Sequence, residues 1–254
     1  MIQEKFAYGS SFIHGLDPKI RIIAAIVLSC AAALCDNLYL APLYFVISIG
    51  LITMAQLKPI DVMKRLKPIF WFLFMIWIIL PLTFDGDIMY RFYGLNITGQ
   101  GVILCCKITI KSITILLLFI ALIATMTIAS LGNGLHRIHV PDKMVFLVLM
   151  SYRYISVIEE EYKRLLRAAR FRGFNPGTNV HSYKTFAYLA GMLFVRASLR
   201  AQRVHQAMLC RGFKGKFYNL QQFKTGMGSW LFSIIMTVVI IGLIVMEVSK
   251  GTVF

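Results

Sequence analysis

Two stretches of this chain, Ser112–Leu131 and Met227–Met246, run for 20 residues each without a charged side chain. A helix rises about 1.5 Å per residue, so each is about 30 Å long, the thickness of bilayer hydrocarbon. A soluble domain has little use for such segments. Three further apolar runs extend the pattern. Between Ile22 and Leu57 only Asp36 is charged, which predicts two spans folded back near Asp36-Asn37. Ile69–Phe84, opened by Pro68 and interrupted by Pro81, predicts another; membrane helices tolerate proline where neighbours re-satisfy the freed carbonyl. The expectation is an all-α membrane protein with about five transmembrane helices.

Charge sets the orientation. The chain is 58% apolar yet carries a formal net charge of +16, so a basic part must lie outside the lipid. The segment Lys58–Pro68 holds Lys58, Lys64, Arg65 and Lys67 against Asp61, whereas Asp85–Gly101 holds Asp85 and Asp87 against Arg91. The positive-inside rule then places the first loop and the N-terminus in the cytoplasm and, with five spans, the C-terminus outside. The N-terminal segment has no small-residue cleavage site before the first apolar run, so no signal peptide is expected. Cys30, Cys35, Cys105, Cys106 and Cys210 show no C-x-x-C spacing and read as reduced thiols.

The organisation that follows is a membrane domain over 1–132, a cytoplasmic domain over 133–225 and a last span over 226–254. Asn133–Thr225 carries 16 Lys or Arg against four acids. Its apolar runs are too short to cross, and they fit two long helices. The first, from about Lys143 to Arg172, pairs Glu159 with Lys163 and Glu160 with Arg164 at i,i+4, which predicts a solvated acidic face on its back half. The loop signature "GFNPGTN" follows. On the second helix, about Lys184 to Arg211, the residues Arg196, Arg200, Arg203 and Arg211 fall within about 80°, beside a sector of Ala190, Phe194, Ala197, Ala201, Val204 and Met208. The expectation is two helices packed through Ala-rich faces with the arginines presented outward.

Both helices end alike. "AARFRGF" (Ala168–Phe174) and "AMLCRGF" (Ala207–Phe213) each read Ala-x-x-x-Arg-Gly-Phe, with Arg172-Gly173 and Arg211-Gly212 thirty-nine positions apart. Locally, Gly173 and Gly212 predict left-handed C-caps closed by the following Phe. Such an ending also projects its arginine past the helix body, where a guanidinium can grip a partner's carboxylate in two places.

Two helices ending in an Arg-Gly motif, placed in a cytoplasmic insert before the last span, resemble the transmembrane T-component of energy-coupling factor (ECF) transporters. "GLDPKIR" is similar to that family's opening, "SYRYISVIEEEYKRLLRAARFRGF" to its first coupling helix, and "HSYKTFAYLAGMLFVRASLRAQRVHQAMLCRGFKGKF" to the cobalt-transport subtype, CbiQ. The position before each arginine is commonly Ala in the family and is Phe171 or Cys210 here. The resemblance implies docking of Arg172 and Arg211, with Gly173, Gly212, Ala168 and Ala207, onto two ATP-binding-cassette ATPase subunits. Arg196, Arg200 and Arg203 would form a supporting basic face. A membrane substrate-binding S-component and a small accessory membrane subunit are the other implied partners. The substrate would be cobalt, with nickel or a vitamin as alternatives, bound by the substrate component and not by this chain.

The residues themselves agree with a non-catalytic role. No G-x-x-x-x-G-K-[ST] phosphate cradle occurs, so ATP must be hydrolysed elsewhere. His136 and His139 flank Arg137 without further ligands nearby, so they read as an interfacial pair rather than a metal site, and no cofactor is expected; His14, His181 and His205 are isolated. Lys107 and Lys111, placed at the start of the fourth span, are expected to snorkel to the outer interface. The basic excess favours anionic lipid headgroups and acidic protein grooves over nucleic acid. The competing class is a polytopic enzyme acting on a phosphate-bearing lipid with these arginines as anion clamps, but no nucleophile and base are set near a span.

Overall fold

The computed structural model describes Phe6, Gly9 and residues 11–35, 40–84, 88–92, 95–213 and 227–251. The turn expected at Asp36-Asn37, the acids Asp85 and Asp87, and the bases Lys214, Lys216 and Lys224 lie outside them. Among the described residues eight α-helices follow a short 3-10 turn at Phe12–Gly15: α1 (Pro18–Leu34), α2 (Ala41–Met54), α3 (Pro59–Thr83), α4 (Gly99–Leu122), α5 (Ile128–Arg137), α6 (Asp142–Phe171), α7 (Val180–Cys210) and α8 (Met227–Gly251). The all-α class holds apart from one antiparallel hairpin, β1 (Ile88–Phe92) with β2 (Leu95–Thr98), between α3 and α4.

The chain divides between Gly134 and Leu135 into two compact units, α8 returning to the first. In the membrane unit α4 is the hub, packing against α1, α2 and α3, while α8 packs on α1. Its core joins Leu28, Leu51, Leu118, Leu122, Phe232 and Met236. The helices α3, α4 and α8 are long and apolar enough to cross a membrane, and this is a multi-pass membrane protein. Of the five expected spans, the two before Leu57 are the short helices α1 and α2, of 17 and 14 residues. At 1.5 Å per residue α2 covers only about 21 Å.

Two span boundaries differ from expectation. The run Ser112–Leu131 is not one helix: α4 starts at Gly99 and stops at Leu122, and α5 opens six residues later, at Ile128. Hydropathy does not register the break, because the residues that make it are uncharged. The Thr127 hydroxyl accepts the Ser130 N–H in the first turn of α5, and Thr125 takes a hydrogen bond from the buried Arg21 guanidinium. The earlier start puts Lys107 and Lys111 well inside α4, so Lys111 does not snorkel outward. Its ammonium donates to the Ala33 carbonyl at 2.9 Å, closing the C-terminal turn of α1, where a cation meets the negative end of the helix. Likewise α3 begins at Pro59, nine residues before the expected opening at Pro68, and carries both Pro68 and Pro81 internally.

The α3–α4 contact closes the C-terminal end of α3. The Thr98 hydroxyl, at the N-terminus of α4, lies 3.2 Å from the Pro81 carbonyl and 2.8 Å from that of Phe84, so it can donate to these carbonyls at the end of α3. Gly101 lets the backbones meet: a Cβ there would stand 3.0 Å from Pro81 Cα.

Candidate functional site

The second unit is built on α6 and α7, helices of 30 and 31 residues. They run antiparallel, because contacting residues count in opposite directions. Phe174, just past α6, meets Phe186 near the start of α7 with ring centroids 5.5 Å apart; Phe213, just past α7, meets Phe146 near the start of α6, also at 5.5 Å. Between these ends Glu161 of α6 reaches Arg196 of α7 at 2.5 Å and Arg200 at 3.5 Å.

Both Arg-Gly endings close identically. Gly173 has φ +83° and Gly212 φ +78°, the left-handed region that favours glycine. In the first copy the Gly173 N–H donates to the Arg170 carbonyl and the Phe174 N–H to that of Ala169; in the second, Gly212 donates to Leu209 and Phe213 to Met208. These bonds satisfy carbonyls that the helix end would orphan, and the Phe after each glycine packs on the other helix. Arg172 and Arg211 are the cap residues themselves, both exposed. Ala168 and Ala207, one turn back, are exposed as well, as are Phe171 at 91% and Cys210. Each ending therefore presents a small residue and an arginine on open surface, with its glycine buried in no packing.

The antiparallel arrangement puts the two arginines at opposite ends of the helix pair. From the Phe174–Phe186 contact to the Phe146–Phe213 contact is about 27 residues of helix, roughly 40 Å at 1.5 Å per residue. The six candidate residues thus form two separate patches of three.

The remaining arginines lie on α7. Arg196 and Arg200 keep 48% and 42% of their side chains exposed but also reach across to Glu161, which is only 9% exposed. Arg203 is exposed and donates to the Leu199 carbonyl of its own helix at 3.4 Å. The acidic run Glu159–Glu161 divides accordingly. Glu159 pairs with Lys163 at 2.5 Å and Glu160 with Arg164 at 3.7 Å, as the i,i+4 spacing predicts, whereas Glu161 sits 100° further round and ties the helices together. The hydrogen bond from Arg196 holds its carboxyl below the ordinary range. Sequence reasoning missed Glu161 because its partners lie 35 and 39 residues away. Nor do the Ala-rich faces close along their length. Between the ion pair and the Phe146–Phe213 contact the helices stand apart over a cleft of about 500 Å³, lined by Ile155, Ile158, Ala197, Ala201, Val204 and Met208 among others.

At the head of this unit, His136 Nε2 lies 3.0 Å from an Asp142 carboxylate oxygen, and His139 adopts φ +66° in the turn between them. Among the described residues no group of three or more His, Cys, Asp or Glu side chains could hold a metal ion, and all five cysteines are free thiols.

Related proteins align over most of the chain. The energy-coupling factor transporter transmembrane protein EcfT of Bacillus subtilis (strain 168) is 26% identical over 226 residues, 85% of each chain. The protein of the same name from Listeria innocua is 27% identical over 233 residues, again 85% of each, and that from Macrococcus caseolyticus 26% over 228. The model of the cobalt transport protein family, CbiQ, matches residues 9–223, and the chain belongs to that family.

Proposed function

We propose that this protein is the energy-coupling scaffold of an ECF-type importer, docking two cytoplasmic ATPase subunits through Arg172 and Arg211 and linking them to a membrane substrate-binding component for uptake of cobalt or nickel. Proteins of this family are membrane components of transporters and not enzymes. The observation that carries the reading is the duplicated end: two glycine-capped arginines, each with an exposed alanine one turn behind, at opposite ends of one antiparallel helix pair. A separation of roughly 40 Å suits two subunits side by side better than one ligand gripped by both arginines. In this reading the N-terminus and the α6–α7 unit are cytoplasmic, and Ala168-Arg172-Gly173 and Ala207-Arg211-Gly212 each enter an acidic groove. Arg196, Arg200 and Arg203 form the supporting basic face, the first two also tied to Glu161.

ATP binding and release in the partners would do mechanical work only if the docked helix ends favour different positions in the two nucleotide states, since a ligand shifts an equilibrium no further than its differential affinity. The test is Arg172→Glu with Arg211→Glu. Among the described residues neither arginine side chain makes a hydrogen bond or ion pair, so the protein should insert at normal levels. Charge reversal against acidic grooves should then release the ATPases in a pull-down and abolish uptake of radioactive cobalt in the same cells. Retained binding and uptake would reduce both endings to helix caps.

A further inference from the structure

The α3 helix packs chiefly on α4 and turns a contrasting face outward. Val62 and Leu66 pack with Leu117 and Ile120 of α4 and Leu73 is 4% exposed, whereas Trp71 is 78% and Phe74 61% exposed. Lys64, Lys67, Pro68, Trp71 and Phe74 recur at three- and four-residue steps, which sets them along one stripe of the helix. With Phe70 they line an open trough of about 670 Å³.

Its two lysines lie at the basic end of the helix. Among the described residues neither has a carboxylate partner. The third nearby cation, Arg65, is turned away with its guanidinium 4.6 Å from the Phe6 ring centroid. Two like charges one turn apart repel, and an anion between them relieves this. Pro68 has no N–H to give the Lys64 carbonyl, so an acceptor stands beside the two cations.

We propose that this face of α3 binds one anionic glycerophospholipid, its phosphate between Lys64 and Lys67 and an acyl chain along Trp71 and Phe74. Dimensions fit a single leaflet. Lys64 to Phe74 is ten residues, about 15 Å of helix, half of a hydrocarbon core of about 30 Å. The order also fits: lysines at headgroup depth, a tryptophan one turn in, where aromatic belts lie, and a phenylalanine beyond it, the two rings 6.4 Å apart. A protein-interface core would instead be depleted of lysine. The headgroup that suits both cations and the freed carbonyl is an anion with its own donors, such as phosphatidylglycerol.

The test uses the full chain in nanodiscs with Trp77→Phe and Trp230→Phe, so that Trp71 is the single reporter, and compares quenching by brominated phosphatidylglycerol and brominated phosphatidylcholine. Phosphatidylglycerol should quench preferentially, and Lys64→Gln with Lys67→Gln should remove the preference, each lysine carrying on the order of fivefold in local affinity. Excess inorganic phosphate should leave it intact. Equal quenching by the two lipids, a preference that survives loss of both lysines, displacement by inorganic phosphate, or the same preference at Trp230 of α8 in a matched protein would each overturn the site. Trp77 donates to Thr109 at 2.9 Å; should its replacement prevent folding, native mass spectrometry of the unsubstituted tryptophan protein with each lipid makes the same comparison.

Discussion

The two glycines after the arginines separate what a cap does from what an arginine does. A Cβ at Gly173 or Gly212 would meet nothing within 4 Å, so an alanine there suffers no clash, only the left-handed backbone. That conformation costs an L-residue about 1–2 kcal/mol. Gly173→Ala and Gly212→Ala should each lower stability by about 1 kcal/mol in thermal unfolding of the detergent-solubilised protein, with ATPase capture reduced only as far as the last turn frays. Arg172→Glu should do the opposite, leaving the melting curve in place and removing capture. If the glycine variants keep their melting temperature and still lose the ATPases, the glycines belong to the docking surface and not to the cap. These local features were legible in the sequence because a Gly-Phe pair after a helical run specifies its own hydrogen bonds. The pairing of Arg196 and Arg200 with Glu161 was not, since a helical wheel reports which residues share a face and not which of them meets a neighbour.

At the scale of elements, the α6–α7 pair is tied between its aromatic ends by one carboxylate. Because Arg196 depresses the folded-state pKa of Glu161, the bridge contributes stability that is fully present above the ordinary carboxylate pKa of 4.5 and is lost as pH falls through the lower folded value. Unfolding of the helix pair should therefore become easier below that range in the wild type. Glu161→Gln should be less stable at neutral pH and should lose less on acidification, a comparison that circular dichroism melts at several pH values would make. A Gln variant with the same acid response as wild type would place the titration elsewhere. The α3–α4 crossing makes a steric prediction instead. Gly101→Ala drives a methyl to 3.0 Å from Pro81 Cα and 2.9 Å from Thr98 Oγ1, backbone and helix cap that have little room to yield. It should destabilise by about 1–3 kcal/mol, whereas Gly50→Ala, with open space around it, should be neutral or slightly stabilising in the same melts.

For the whole molecule, sequence reasoning worked where information is local and failed where it is relational. The long apolar helices, the two long helices of the second unit and their caps could be read from composition and periodicity. The break after Leu122 could not, because Thr125 and Thr127 act through Arg21 and Ser130 and no hydropathy scale weighs such bonds. Nor could the place of Lys111, whose acceptor, Ala33, is 78 residues earlier in the chain. Orientation is the property on which the proposed function turns, and it can be tested with a residue already present. Cys210 is exposed and directly precedes Arg211, whereas Cys35 and Cys105 are buried in the membrane unit. With Cys30, Cys35, Cys105 and Cys106 replaced by Ala or Ser, the proposed orientation, set by the short basic loop Lys58–Pro68, predicts that a membrane-impermeant maleimide labels Cys210 in inverted vesicles and not in intact cells. Adding the ATPase subunits should then slow labelling in the wild-type background and leave it unchanged in Arg211→Glu. Labelling from outside would invert the topology and remove the ATPases from reach of both arginines. Labelling from inside without protection would keep the topology while moving the docking surface away from this helix end.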